Sequence, residues 1–331
     1  MHLQGMTRAA SAAAVASLLA ACGGGGGDSS TPQVARLAIT TSNASPAAAE
    51  AIDAGDAGTG PSGSVIGVQV SAPTTSVSAM STLASVVRAN LGAHAPAGVV
   101  GVTTSSTDAC TGGGTVTTSA TIASNQGATA GDRIDLTFNA CVESGTTING
   151  GLSITLVTFN SDATKITADT SVSNFTVSAG ALAARLNGSM RMSLDETSGT
   201  HRLTSMTSSS LSYDRLVNGT ARATRTLSNY SFAEDETVAD GSTSTTFSYS
   251  ASGSFPNFGT VAFDAQTTQA IVVPGGATVP SSGAGKVTGA NGSSVTITVV
   301  SGGVKLDVDT DGNGTIDATI NRTWNELSGD L

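Results

Sequence analysis

The stretch Arg133-Ile-Asp-Leu-Thr-Phe138 decides how the chain folds. Its apolar residues, Ile134, Leu136 and Phe138, alternate with Arg133, Asp135 and Thr137. Successive side chains of a strand point to opposite faces, so this period of two gives one apolar and one wet face. The same period returns at Leu152, Ile154 and Leu156, at Met190, Met192 and Leu194, and at Phe247 with Tyr249. It recurs at Val295, Ile297 and Val299, at Val304, Leu306 and Val308, and at Ile316, Ala318 and Ile320. Strands wet on one side belong to antiparallel sheet.

Asn149-Gly150, Asn187-Gly188, Asn218-Gly219, Asp240-Gly241, Asn291-Gly292 and Asn313-Gly314 each precede such a run. These dipeptides predict tight hairpins, because both turn residues need positive φ. Their irregular intervals predict a meander and not a solenoid. The expected fold is mainly β: a large curved antiparallel meander, as a partial barrel or a sandwich, covered by one or two N-terminal helices. A transmembrane barrel is the rival, but its aromatic girdles are hard to build from eight Phe, three Tyr and one Trp.

Two helices are signalled upstream. Ser45 can cap the first, Pro46 sits in its first turn, and Gly55 stops it after Ala54, giving a helix over 45–54. In the second, over 76–91, Val77, Met80, Ala84, Val87 and Leu91 recur at steps of three and four. Arg88 is its only charge, so this helix is expected to plug the apolar side of the sheet.

The N-terminus carries Arg8, then only Ala, Ser, Val and Leu from Ala9 to Ala21. A positive start, a short apolar run and small residues at its end make an export signal, too short to span a bilayer. Leu19-Ala-Ala-Cys22 matches a bacterial lipobox, so Cys22 is expected to become the first mature residue and to carry lipid. An ordinary signal peptide, leaving Cys22 as a free thiol, is the alternative. Five glycines, Gly23 to Gly27, follow as a flexible spacer. The expected organisation is a signal peptide over 1–21, a tether over 22–35, an N-terminal segment over 36–109 and an antiparallel β domain over 110–331. The expected location is the outer membrane of the cell envelope, with the membrane engaged through the lipid on Cys22.

The chain of 331 residues has a formal charge of -10, which argues against nucleic acid as a partner. Only 11% of residues are charged and 4% aromatic, yet 39% are hydrophobic, which suits a folded extracytoplasmic β-protein and not a disordered chain. With Cys22 lipidated, Cys110 and Cys141 remain as a pair, expected to form a disulfide in an oxidising compartment. A loop of that length is worth about 3.5–4 kcal/mol on the chain-entropy model.

The motif closest to known chemistry is Asp309-Thr-Asp-Gly-Asn-Gly-Thr-Ile-Asp317. Asp309, Asp311, Asn313 and Asp317 fall at positions 1, 3, 5 and 9 of a Ca²⁺ loop of the EF-hand type, with a carbonyl from Thr315 at position 7 and Ile316 at the apolar position. Position 12 is Ile320 and lacks the bidentate Glu, so Asp307 or a water is expected to complete the shell. Ca²⁺ is expected as a structural clip of the loop; the alternative is an acidic hairpin that binds nothing tightly. Glu234-Asp235-Glu236 forms a second acidic group in an expected loop. Catalytic signals are sparse: after processing only His94 and His201 remain, outside any metal-binding spacing, and Gly283-Ala-Gly-Lys286 is an incomplete phosphate loop.

The chain resembles a family of uncharacterised Thr/Gly-rich β-sheet lipoproteins of Gram-negative bacteria. The resemblance rests on Leu19-Ala-Ala-Cys22, Ala109-Cys-Thr-Gly-Gly-Gly114, Thr137-Phe-Asn-Ala-Cys141, Ile148-Asn-Gly150, Val287-Thr-Gly-Ala-Asn-Gly292, Leu306-Asp-Val-Asp-Thr-Asp-Gly-Asn-Gly314 and Thr323-Trp-Asn-Glu-Leu327. It implies an envelope location, a Cys pair and a β-fold, and supplies no activity. The expected function is a non-enzymatic envelope module that binds or builds, its partner an unknown envelope protein, glycan or apolar ligand. A carrier or chaperone for apolar ligands, of the half-barrel lipoprotein-sorting type, is the alternative. An enzyme acting on surface glycans is a further one.

Overall fold

The computed structural model describes residues 34–56, 103–121, 129–143, 145–160 and 164–331. Its elements are α1 (Ala44–Asp56), β1 (Thr103–Ala109), β2 (Thr115–Thr121), β3 (Arg133–Glu143), β4 (Thr146–Phe159), β5 (Lys165–Ala179), β6 (Leu182–Asp195) and β7 (His201–Val217). They continue with β8 (Thr220–Thr237), β9 (Ser242–Phe255), β10 (Gly259–Val273), β11 (Ser282–Thr288), β12 (Ser294–Val300), β13 (Gly303–Asp309), β14 (Ala318–Thr323) and α2 (Trp324–Gly329). Every strand pairs antiparallel with its sequence neighbours in a single open sheet of 14 strands, β1 and β14 forming the edges. The sheet is therefore the meander that the alternation implies, and it does not close into a barrel.

The alternation sorts the two faces as the period of two requires. Ile134, Leu136 and Phe138 are buried, as are Leu152, Ile154, Met190, Met192, Val295, Ile297, Val304, Leu306 and Val308. Their strand neighbours carry the charges: Arg133 with Asp135, Asp169 with Arg191, and Lys165 with Asp195 pair on the wet side.

Two of the Asn-Gly dipeptides do not turn the chain. Asn149-Gly150 lies inside β4 and Asn187-Gly188 inside β6. Each marks an irregularity in the ladder. Asn149 Oδ1 accepts from the backbone N–H of Ala140 on β3 (2.8 Å), and Asn187 Oδ1 from that of Asn174 on β5 (2.7 Å). Ala140 and Asn174 both have positive φ, 47° and 48°. The register shifts at neighbouring places from β3 through β6 to β7, and again between β8 and β9 at Asn229. Bulges bend a strand and increase its twist, so a row of them across adjacent strands curves the sheet. Gly150 is required here: its φ is +100°, and a Cβ would stand 2.2 Å from the Asn174 carbonyl oxygen. Asn218-Gly219 and Asp240-Gly241 do close hairpins, between β7 and β8 and between β8 and β9. A side chain can thus satisfy a bulge as well as a turn, and the dipeptide does not say which.

Helix α1 covers 44–56 and so includes the expected 45–54, with two differences. Ser45 does not cap; its hydroxyl donates to the Asp330 carboxylate near the C-terminus. Gly55 does not stop the helix, and serves packing: a Cβ there would stand 2.5 Å from the Phe247 ring. Ala44, Ala47, Ala48, Ala49, Ala51 and Ala54 are fully or almost fully buried, so the helix is enclosed on all sides. It lies against β9, β11, β12 and β13, and touches α2. The helix expected over 76–91 lies outside the described residues, so among those residues α1 is the helix that fills the curve of the sheet. Ahead of α1, Arg36 forms a parallel bridge to Ala262, where β10 extends beyond its pairing with β11. β1 begins ahead of residue 110, the expected start of the β domain. The chain ends in α2, whose Thr323–Glu326 capping box satisfies its first turn.

Candidate functional site

The loop between β13 and β14 brings together the acids that its sequence groups. Carboxylate oxygens of Asp309, Asp311 and Asp317 lie within 4.8 Å of one another. Asp309 Oδ1 accepts from the Gly312 N–H (2.8 Å) and Oδ2 from the Gly314 N–H (2.9 Å). Asn313 folds back on both sides: its Oδ1 accepts from the Thr315 N–H (2.7 Å), and its Nδ2 donates to Asp311 (2.9 Å). Asp317 Oδ2 accepts from the N–H and the hydroxyl of Thr310. The Gly314 N–H holds the Asp309 carboxyl below its ordinary value, and the Thr310 hydroxyl does the same for Asp317. Three carboxyl groups around a tight turn can offer oxygens to a hard cation such as Ca²⁺.

Two parts of the expected loop, an auxiliary ligand and the apolar position, sit differently. Asp307 points its carboxylate to Lys305 Nζ and Thr319 Oγ1, both at 2.7 Å, and is not in the cluster. Ile316 is 56% exposed, so the loop lacks the packing that an apolar residue at that position supplies.

Cys110 and Cys141 are joined by a disulfide, with Cα atoms 5.4 Å apart. The bond ties the β1–β2 turn to β3, where the Gly112 N–H donates to the Val142 carbonyl (2.9 Å) and the Val142 N–H to that of Gly113 (2.9 Å). Cys22 lies outside the described residues.

The second acidic group is not a loop. Glu234, Asp235 and Glu236 belong to β8, where alternation splits them between faces. Asp235 pairs with His201 Nδ1 (2.7 Å) and Glu236 with Arg202 (3.4 Å). A groove of about 450 Å³ crosses β5 to β9 here, lined by Lys165, Asp195, Leu203 and Asp235 among others.

The most buried polar feature was not anticipated from the sequence. Arg225 on β8 is fully buried and donates through Nη1 to Asp53 (2.6 Å) and through Nη2 to Glu50, both on α1. Arg215 on β7 donates to Glu50 (3.1 Å) and to the Leu331 carbonyl (2.5 Å). Tyr213 receives the Arg225 guanidinium over its ring at 4.9 Å, and the Tyr249 hydroxyl donates to the Ala51 carbonyl (2.5 Å). Two cations and two anions thus neutralise one another inside the fold. Burial alone would lower the pKa of Arg225, but the facing Glu50 and Asp53 outweigh it and hold the guanidinium charged. Burial raises the Glu50 carboxyl, and Arg225 and Arg215 offset part of that rise. The sequence signal was faint: two acids one turn apart on an alanine helix that has no exposed face for them.

The shifted carboxylates make a prediction about acid. Lys165 and Thr197 hydrogen-bond Asp195 and lower it to about 2. Asp169, beside Arg191, and Asp309, Asp317 and Glu326 are also lowered. A lowered folded pKa contributes stability that is present above the unfolded value and is lost as pH falls through the folded one. Glu50 acts with opposite sign, its contribution being present below its unfolded value and lost as pH rises through the folded one. The lowered groups outnumber it, so the melting temperature is expected to fall as pH drops from about 4 towards about 2. Calorimetry across that range checks this, and Asp195→Asn should flatten the fall.

Comparison with protein-family models, with curated proteins and with solved structures finds no match to this chain.

Proposed function

We propose that the protein is a lipid-anchored, non-enzymatic β-sheet module of the bacterial cell envelope, tethered through Cys22, with Ca²⁺ clipping the loop 309–317. The observation that carries this reading is the Cys110–Cys141 disulfide. Such bonds persist in oxidising compartments and are rare in the cytosol. The pairing leaves Cys22 as the one remaining thiol, directly after the export segment and inside the lipobox pattern. The resemblance to Thr/Gly-rich β-lipoproteins points the same way.

The carrier alternative has less support. Among the described residues, the apolar space beneath α1, between Phe247, Ile271, Ile297 and Trp324, has room for about 20 Å³. Ligand pockets run to about 300–1,000 Å³. An envelope module that presents a wet Ser/Thr face and keeps its interior packed fits this geometry better.

Two measurements test the proposal. Cell fractionation should place the wild-type chain with membranes and release Cys22→Ser from them; a wild-type chain found wholly in the soluble fraction would count against the anchor. Calorimetric titration of metal-free protein with Ca²⁺ should give heat and a higher melting temperature, both lost in Asp309→Asn/Asp311→Asn. No heat at millimolar Ca²⁺ would remove the clip and leave the anchor standing.

A further inference from the structure

The sequence contains five Asn-Gly pairs, at Asn149, Asn187, Asn218, Asn291 and Asn313. Asn-Gly is the dipeptide most open to spontaneous deamidation, because glycine leaves the backbone nitrogen unhindered. The five have the same local chemistry, and the fold places them in different surroundings.

Deamidation requires the glycine nitrogen to reach Cγ of the asparagine, so both the side-chain amide and the next N–H must be free to move. Asn149 and Asn187 lie inside strands, and their Oδ1 atoms hold N–H groups of the adjacent strand. Asn313 is held by both carboxamide atoms, and its would-be nucleophile, the Gly314 N–H, is bonded to Asp309 Oδ2 at 2.9 Å. Asn291-Gly292 is packed against the acidic loop: a Cβ at Gly312 would stand 2.3 Å from the Asn291 carbonyl oxygen. Asn291 is also exposed, and among the described residues its side chain has no hydrogen-bond partner either, but its backbone is held against that of Gly312. Asn218 alone combines a free side chain with a following glycine that nothing presses against. It is exposed at the tip of the β7–β8 hairpin, with φ 50°. Among the described residues its side chain has no hydrogen-bond partner, its backbone N–H donates to Ala181, and a Cβ on Gly219 would meet nothing within 4 Å.

We propose that Asn218-Gly219 is the site of spontaneous deamidation in the folded protein. The Gly219 nitrogen loses its proton to solvent base and attacks Cγ of Asn218. The bond from Cγ to the side-chain nitrogen breaks, and ammonia leaves as a succinimide ring closes. Water then opens the ring at either carbonyl, giving aspartate or isoaspartate. The net reaction consumes one water and releases one ammonia, with no oxidant or reductant. The product adds a negative charge at the hairpin tip, and the isoaspartate form lengthens the backbone of a two-residue turn whose residues both have positive φ.

The test is a peptide map of the purified protein aged at alkaline pH, folded and in urea, with isoaspartate read by mass and by enzymatic methylation. In urea all five sites should react at comparable rates. In the folded protein the Asn218 peptide should react several-fold faster than the other four, and Asn218→Ser should remove most of the ammonia released. A folded protein in which any of the other four, Asn291 included, reacts as fast as Asn218, or in which Asn218 is as protected as Asn149 and Asn187, overturns the proposal.

Discussion

Arg225→Ala is expected to lower stability by about 3–5 kcal/mol, the usual cost of removing one partner from a buried ion pair. The loss comes from what remains. Glu50 is 0% exposed and Asp53 8%, and without the guanidinium both carboxylates stay inside with only Arg215 to face. The substitution also empties the space between Tyr213 and Phe255, over whose rings the guanidinium lies. Because these groups act as one unit, their costs should not add. Removing Glu50 and Asp53 along with Arg225 would strand Arg215, so all four must go: Glu50→Ala/Asp53→Ala/Arg215→Met/Arg225→Met leaves no unpaired charge and should lose less than the single substitutions summed. Urea unfolding of the series measures this coupling. Additive losses would mean that the four charges do not share one site.

Breaking the disulfide should have the next largest effect. Cys110→Ser/Cys141→Ser is expected to cost about 2–4 kcal/mol, because the bond closes a loop with a sequence separation of 31. Reduction of the wild-type chain should produce the same downward shift in melting temperature, and the double serine variant should not respond to reductant. The β1–β2 end of the sheet should open first. β1 is an edge strand whose residues are mostly exposed, and the bond fastens its turn to β3. Hydrogen exchange should accordingly speed up in 103–121 before it does in β7 or β8.

These two predictions also show where sequence reasoning reaches and where it stops. The alternation at 133–138 and its repeats carried the sheet, because a period of two has one physical meaning when one face is dry. The cysteine pair was legible by arithmetic: with Cys22 set aside by the lipobox reading, Cys110 and Cys141 are the two that remain. The grouping of Asp309, Asp311 and Asp317 was legible because a short loop brings its own residues together. Asn149-Gly150 and Asn187-Gly188 were misread as turns, since positive φ serves a bulge as readily as a hairpin. The Arg225–Glu50–Asp53–Arg215 cluster was not legible. It joins α1 to strands more than 160 residues away, and only the register of β7 and β8 decides that these arginines point inward. Asp307 shows the same limit on a small scale: its place beside the loop suggested a ligand, and the cross-strand Thr319 and nearby Lys305 claimed it instead.

The most direct test is intact mass and N-terminal analysis of the native protein extracted from membranes. A chain that begins at Cys22, carries a lipid adduct on that residue and keeps Cys110 and Cys141 oxidised is the expected result. A water-soluble chain with an unmodified Cys22 and free thiols at 110 and 141 would contradict it.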